Sequence, residues 1–344
     1  MVKKKLLRDA RIPAAPLIRK NVKPPRQNWD LYQDGLSYSL LSKFIVCRER
    51  FRLRTVEGLT HTGNKASMDF GTIFHKALEL SAQGTSTSRI VAGLRKHTRE
   101  RSFDPMLCRI AAVMLPKYKE FWKHELNTLQ YFETETVFDF QYRTSLNVPI
   151  RLRGRRDEGY RKEGRIWLQE NKTKGQIQED QIVQTLGYML QPMLYLLSFK
   201  NDHPRERLGG ILYNVIRKPL LVQGKKEPDS EYIKRIVTDI DARPEHYFKM
   251  FEVAIDDAHL EQWRLRYFDP FISQVILWWE SIKHDPFNPW VGKDGLPNPH
   301  HYIRPFGIYD AMSQGIGDYF GRITQGHDVG LERDVNCFRE LEND

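Results

Sequence analysis

The stretches Arg151-Leu-Arg-Gly-Arg-Arg-Asp157 and Arg165-Ile-Trp-Leu-Gln-Glu-Asn-Lys172-Thr173 decide how this chain is read. Both read as strands, and the polar, glycine-bearing Gly159-Tyr-Arg-Lys-Glu-Gly164 between them reads as a turn. Side chains on a strand alternate between faces, so Glu170 and Lys172 point one way and Asn171 the other. If the two strands pair as a hairpin, Asp157 reaches the same patch. Two carboxylates and a lysine at one point on a sheet suit a hard divalent cation beside a nucleophilic water. That combination is suited to phosphodiester hydrolysis.

Working outward, further strands are expected at Phe132 to Tyr142, at Val148 to Arg156 (which takes in most of the first stretch) and at Leu208 to Arg217. A helix is expected from about Glu179 to Lys200. Upstream, a helix opens at Ser37 with Leu40, Leu41, Phe44 and Ile45 on its apolar side. A second, Asp69 to Leu80, carries the stripe Ile73, Phe74, Ala77 and Leu78, and a third runs from about Asp104 to Asn127. Helix, three strands, helix and strand in that order predict an α/β core with a central mixed sheet flanked by helices. Downstream, Asp229 to Asp239 and Leu260 to Lys283 look helical, the latter with Trp278 and Trp279. From Pro286 the chain is rich in Pro, Gly and Asn, and little regular structure is expected.

The bulk properties narrow the setting. A formal net charge of +10 favours a polyanionic partner. No apolar run is long enough to span a membrane, and the basic start, Met1-Val-Lys-Lys-Lys, lacks the apolar stretch of a secretory signal. The three cysteines, Cys47, Cys108 and Cys337, are far apart and odd in number, which fits a reducing compartment better than a disulfide framework. A cytoplasmic protein without a membrane partner is the expectation.

Four short motifs occur in order: Gly71-Thr-Ile-Phe-His75, Gly154-Arg-Arg-Asp157, Glu170-Asn-Lys172 and Gln191-Pro-Met-Leu-Tyr195. They follow a lead-in, Ser37-x-Ser-x-Leu-x-x-Phe44-x-x-Cys47-x-x-x-Phe51, and precede a strand ending Tyr213-Asn-Val-Ile-Arg-Lys218. This pattern resembles a PD-(D/E)XK nuclease of the RecB-type exonuclease branch, similar to CRISPR-adaptation exonucleases and phage-encoded nucleases. The resemblance implies a restriction-endonuclease-like core with N-terminal and C-terminal helical additions. It divides the chain into a basic flexible tail (1–30), a helical region with the His motif (31–130), the nuclease core (131–220), and a helical and irregular region packing on that core (221–344).

The resemblance also implies roles. His75, Asp157, Glu170 and the backbone carbonyl of Asn171 would hold one or two Mg²⁺ or Mn²⁺ ions. Asp157, Glu170 and Lys172 would be catalytic, with Lys172 positioning or helping to deprotonate water and offsetting charge in the transition state. Gln191 and Tyr195 would order the substrate strand. Gln184-Thr-Leu-Gly-Tyr188 satisfies the same Gln-x-x-x-Tyr pattern, and the spacing of 184, 188, 191 and 195 puts all four on one face of a continuous helix. Pro192 argues for a kink or a fresh helix start near Gln191, which leaves the choice of pair open.

Each residue has a plainer alternative. His75 could be a helix histidine bonded to a carbonyl rather than a ligand; as a ligand it would have Glu79 one turn away as its partner. Asp157 and Glu170 could be strand-end charges paired with arginines. Arg151, Arg153, Arg155, Arg156, Arg161, Lys162 and Lys174 either neutralise phosphates or form a solvated strand face. Many relatives hold an iron–sulfur cluster through one early and three late cysteines. Here Cys47 has no late partners in Asn288 to Tyr302, so no cluster is expected, and aromatic and proline packing would hold that segment. His300 and His301 read as surface residues.

The sequence thus predicts a Mg²⁺- or Mn²⁺-dependent DNA nuclease, foremost an exonuclease of recombination or processing acting on single- or double-stranded DNA, with a recombination or annealing protein as a candidate partner. An endonuclease on the same fold, a non-catalytic nucleic-acid-binding protein, and an enzyme acting on another phosphoester are the alternatives.

Overall fold

A computed structural model describes residues 27–61, 69–301, 319, 322 and 331–334. The tail expected over 1–30 lies, up to residue 26, outside the described residues, as does Cys337. The chain forms two compact units, residues 64–272 and a unit built from both ends, 1–63 with 273–344.

In the unit built from both ends, α1 (Leu31–Asp34) starts on Asp30, whose carboxylate accepts from the Tyr32 and Gln33 N–H groups. Helix α2 (Tyr38–Val46) starts on Ser37, whose hydroxyl accepts from the Leu40 N–H. Cys47 is extended, with φ −164°, and so divides the lead-in from Ser37 to Phe51 into α2 and α3 (Arg48–Phe51). A π-helical turn, Arg52–Val56, leads to β1 (Leu59–His61).

The other unit carries the sheet. Helices α4 (Asp69–Ala82), α5 (Thr87–Glu100), α6 (Pro105–Phe121) and α7 (Lys123–Thr128) precede three long strands, β2 (Gln130–Arg143), β3 (Pro149–Lys162) and β4 (Arg165–Lys174). Then come α8 (Glu179–Thr185), α9 (Leu190–Asp202), β5 (Leu208–Arg217), α10 (Asp229–Ala242), α11 (Pro244–Tyr247) and β6 (Phe248–Ala254). The strand order is β2-β3-β4-β5-β6, with β4 and β5 parallel and the other neighbours antiparallel. This is the mixed α/β sheet flanked by helices that the element order predicts.

Three differences matter for the site. The turn between β3 and β4 is not six residues long: β3 runs to Lys162, and Glu163 and Gly164 alone reverse the chain, with φ 54° and 69°. Two positive-φ residues match the twist of the paired strands, so the hairpin closes tightly. The expected helix over 179–200 is broken. A 3-10 turn, Leu186–Tyr188, and an extended Met189 separate α8 from α9, which starts afresh at Leu190 with Pro192 in its first turn. Finally, α5 and the edge strand β6 carry no prediction from the sequence.

Helices α4, α5, α6 and α10 share one apolar core, in which Ile73, Phe74, Leu94, Met114, Ile236 and Ile240 are completely buried. At about 1.5–3 kcal/mol for each such side chain, this packing holds α4 rigidly beside the sheet. Beyond β6, α12 (Asp257–Trp263) continues through a π-helical turn, Arg264–Phe268, into α13 (Asp269–Ile282), so the expected long helix is present with an irregular middle.

From Ser273 onward the chain belongs again to the first unit. There Trp278 packs edge-on against Phe44 and Phe51, with centroids 5.2 and 5.5 Å apart, and Trp29 packs on Trp279 at 5.1 Å. Strand β7 (Leu331–Arg333) pairs with β1. His301 is not a surface residue. It is 4% exposed, its Nδ1 accepts from the Trp278 indole N–H at 3.2 Å, and its Nε2 lies 2.9 Å from the Glu49 carboxylate. His300 is half-buried. The late segment does use aromatic packing, Trp290 meeting His301 edge-on at 4.6 Å. No helix of the described residues is long and apolar enough to cross a membrane.

Candidate metal centre

Backbone pairing between β3 and β4 stops at Glu158 opposite Gln169. One residue further, the Asn171 N–H donates to the Asp157 carboxylate at 2.7 Å in place of a ladder bond. The strand is irregular here. Arg156 lies over the Phe199 ring at 5.3 Å, and a Cβ on Gly159 would also meet that ring, at 2.8 Å. Strict alternation puts 156 and 159 on opposite faces, so β3 changes face between them, beside Glu135 of β2 with its φ of 47°. That irregularity turns Asp157 toward β4.

On β4 the alternation holds. Glu170 is fully buried; Lys172 Nζ pairs with its Oε1, and its Oε2 has no hydrogen-bond partner. Between them, the Asn171 side chain goes to the opposite face, donating to Glu158 and accepting from Gln169 and Asn214.

Helix α4 delivers His75. A Cβ on Gly71 would stand 2.8 Å from Thr173 Oγ1, so glycine lets the first turn of α4 approach β4 closely. One turn later, on the same side of the helix, His75 Nδ1 lies 3.9 Å from Asp157 Oδ2. Glu79, by contrast, accepts from Lys76 Nζ at 2.7 Å with both oxygens rather than supporting His75.

Electrostatics follow from burial. Burial, reinforced by the Lys172 charge, pulls the His75 pKa down to about 4, which leaves a neutral imidazole able to ligate. Burial pushes Asp157 upward against the pull of Lys172 and the Asn171 N–H. Burial likewise raises Glu170, to about 7, with Lys172 opposing it. Burial would deprotonate Lys172, but Glu170 and Asp157 outweigh it and raise its pKa, holding it as an ammonium. Lys172 therefore brings positive charge to the two carboxylates.

Two carboxylates escaped the sequence reading. Glu158 is 2% exposed, its pKa raised by burial and by neighbouring Asp157. Glu135 is raised to about 8 by burial, then by Asp157 and Glu79. Glutamates on a strand read as solvent-facing charges, so no local signal marks them.

Of the two Gln/Tyr pairs, Gln191 and Tyr195 are joined by a 3.2 Å hydrogen bond, and Tyr195 is close enough for Glu170 to raise its pKa further beyond the effect of burial. Gln184 and Tyr188 are not on the same helix as that pair. Tyr188 is 55% exposed and packs on Tyr267 and His259. The basic surround is largely committed elsewhere. Arg156 is 1% exposed, held by Glu133, Asp202 and Ser198, so it faces the interior rather than a phosphate. Arg151 pairs with Asp139, Arg161 with Glu206 and Lys162 with Glu252. Arg155 lies 3.8 Å from Glu135, Arg153 is buried, and Lys174 Nζ sits 5.6 Å from the Tyr213 ring.

Residues 35–271 match the family model of the PD-(D/E)XK nuclease superfamily. The chain belongs to that superfamily. A search of curated proteins found no match. Members of the PD-(D/E)XK superfamily are generally nucleases that use divalent metals, and the donor set here fits such an ion. Among the described residues no three His, Cys, Asp or Glu side chains already close on one point. Yet a completely buried carboxylate oxygen without a partner, Glu170 Oε2, is costly unless something cationic satisfies it. Hard oxygen donors from Asp157 and Glu170 beside a neutral imidazole suit Mg²⁺ or Mn²⁺.

Proposed function

We propose that the protein is a Mg²⁺- or Mn²⁺-dependent deoxyribonuclease, foremost an exonuclease of DNA recombination or processing. The observation that carries this reading is the meeting of Asp157, Glu170 and Lys172 at the end of the β3–β4 ladder, with His75 of α4 beside them. Asp157, Glu170, His75 and the Asn171 carbonyl would hold the ion. When bound, the cation supplies Lewis acidity toward a phosphate oxygen and acidifies a water. Lys172 keeps its proton and places a fixed positive charge where negative charge accumulates as the phosphodiester is attacked. Gln191 and Tyr195 orient the strand, and Arg155 and Lys174 are the basic residues best placed to meet phosphates. The order of the four motifs supports the RecB-type branch, with DNA, single- or double-stranded, as the substrate; the cytoplasm is the proposed setting.

The test is digestion of linear and covalently closed circular DNA, each strand end labelled, with and without Mg²⁺ or Mn²⁺. Metal-dependent release of nucleotides from linear DNA alone is the expected result. Cleavage of the closed circle makes the protein an endonuclease on the same fold. Binding of DNA without hydrolysis under any divalent metal refutes the enzymatic reading.

A further inference from the structure

On the sheet face turned away from Glu170 and Lys172 lies a chain of buried polar groups that the catalytic reading does not use. Asn171 is its centre. Its Oδ1 accepts from Asn214 Nδ2 at 2.7 Å and from Gln169 Nε2 at 3.1 Å, and its Nδ2 donates to Glu158. Asn214, its direct neighbour in the parallel β4–β5 register, also donates to the Tyr118 hydroxyl at 2.9 Å. Asn171, Asn214 and Glu158 are all 2% exposed or less. Toward the other end of the same strands this face is apolar, with Tyr160, Trp167 and Leu212 packed together. Burying amides and a carboxylate in such a setting contributes less stability than apolar side chains of similar size, while fixing orientation closely once every partner is present.

The group so fixed is the Asn171 backbone, with the peptide on either side of its Cα. Its N–H holds Asp157 at 2.7 Å, and the preceding residue is Glu170. A shift of the Asn171 Cα, which carries the peptide on either side of it, would displace Asp157, Glu170 and the Asn171 carbonyl together. We infer that Asn214 and Glu158 are positioning residues: gripping the Asn171 side chain from the far face of the sheet, they orient the backbone on both sides of Asn171 and so set the affinity of the centre for a divalent cation. The inference rests on the metal-nuclease reading above.

The test measures Mn²⁺ affinity of the full chain by titration calorimetry without DNA, thermal unfolding without metal, and DNA hydrolysis. Asn214→Leu keeps the shape and removes both donated bonds. It is expected to weaken Mn²⁺ binding about 10–100-fold, with hydrolysis falling in step. Leu212→Ala, two residues away in the apolar part of the same face, lowers thermal stability but leaves Mn²⁺ affinity at the wild-type value. Tyr118→Phe, which removes one hydroxyl at the end of the chain of bonds, gives a smaller loss of affinity in the direction of Asn214→Leu and serves if that variant does not fold. Wild-type Mn²⁺ affinity in every foldable member of the Asn214 and Tyr118 pair overturns the inference. So does a loss of affinity that tracks thermal stability equally in Leu212→Ala. Failure of the wild-type chain to bind Mn²⁺ or Mg²⁺ refutes the metal reading itself.

Discussion

Gly71→Ala is the sharpest test of how the site is assembled. The added methyl would stand 2.8 Å from Thr173 Oγ1, about 0.7 Å inside an ordinary contact of about 3.5 Å. Thr173 is a short, branched side chain on the central strand β4, and the packed core of α4 resists movement, so neither partner yields freely. Overpacking of this kind costs about 1–3 kcal/mol. Alanine near the start of a helix returns about 0.5 kcal/mol through helix propensity. The net expectation is a loss of about 1 kcal/mol in stability, relieved by tilting α4 away from β4. His75, one turn on and 3.9 Å from Asp157, moves with it, so Mn²⁺ affinity falls about 10-fold. Thr173→Ala removes the clashing oxygen. In that background Gly71→Ala becomes neutral or mildly stabilising and Mn²⁺ affinity returns, giving a coupling of about 1–2 kcal/mol in a double-mutant cycle read by urea unfolding. Additivity of the two substitutions within about 0.5 kcal/mol, or a Gly71→Ala variant that binds Mn²⁺ like wild type, would refute the close-approach argument.

Three further outcomes are expected. Lys172→Ala lowers DNA hydrolysis by at least about 100-fold while DNA binding, measured by filter retention, is kept; hydrolysis at the wild-type rate excludes Lys172 from the chemistry. Arg156→Ala destabilises the fold by about 1–3 kcal/mol in chemical denaturation because Glu133 and Asp202 lose a buried partner while His203 still meets Glu133, yet the salt dependence of DNA binding is unchanged; a shallower salt slope would return Arg156 to the DNA surface. Glu49 gives a pH signature. Burial alone would raise its pKa, but the Arg52 guanidinium outweighs burial and holds it at about 2, below the unfolded value of 4.5. A lowered folded pKa means the stabilisation is present above 4.5 and is lost as pH falls toward 2. The stability gap between wild type and Glu49→Gln therefore shrinks by about 3 kcal/mol from about pH 5 to about pH 2, and a gap independent of pH contradicts it.

What was legible in the sequence depended on the range of the signal. Strands β4 and β5 have strong local patterns and fall where expected. Helix α5 does not, because its buried residues Ile90, Leu94 and Thr98 form a thin stripe spaced by four on an otherwise basic surface. Strand β6 is a half-buried edge strand with Lys249 and Glu252 among its apolar residues. Gly159 was misread as the start of a turn. Glycine is ambiguous in sequence: here it is inside a strand, making room for Phe199, and the actual reversal is left to Glu163 and Gly164. The break at Met189 has the same origin in part. The four-three-four spacing of Gln184, Tyr188, Gln191 and Tyr195 fits one helix, and only Pro192 hinted that two helices meet there.

The site divides along the same line. Glu170, Asn171 and Lys172 needed nothing but strand alternation. Asp157 needed more, since a regular β3 would not have turned it to accept the Asn171 N–H; a fault in the alternation between Arg156 and Gly159 does so, and faults carry no period to detect. Glu158 and Asn214 needed most. Each sits in a strand as one polar residue among many, and they meet only because the register puts 214 opposite 171 and puts 158 opposite 169, two residues from 171 on the same face. Local spacing can therefore find Glu170, Asn171 and Lys172, while the groups behind them are chosen by register. In a sheet of this kind, the residues least visible in sequence are those that only strand register brings together.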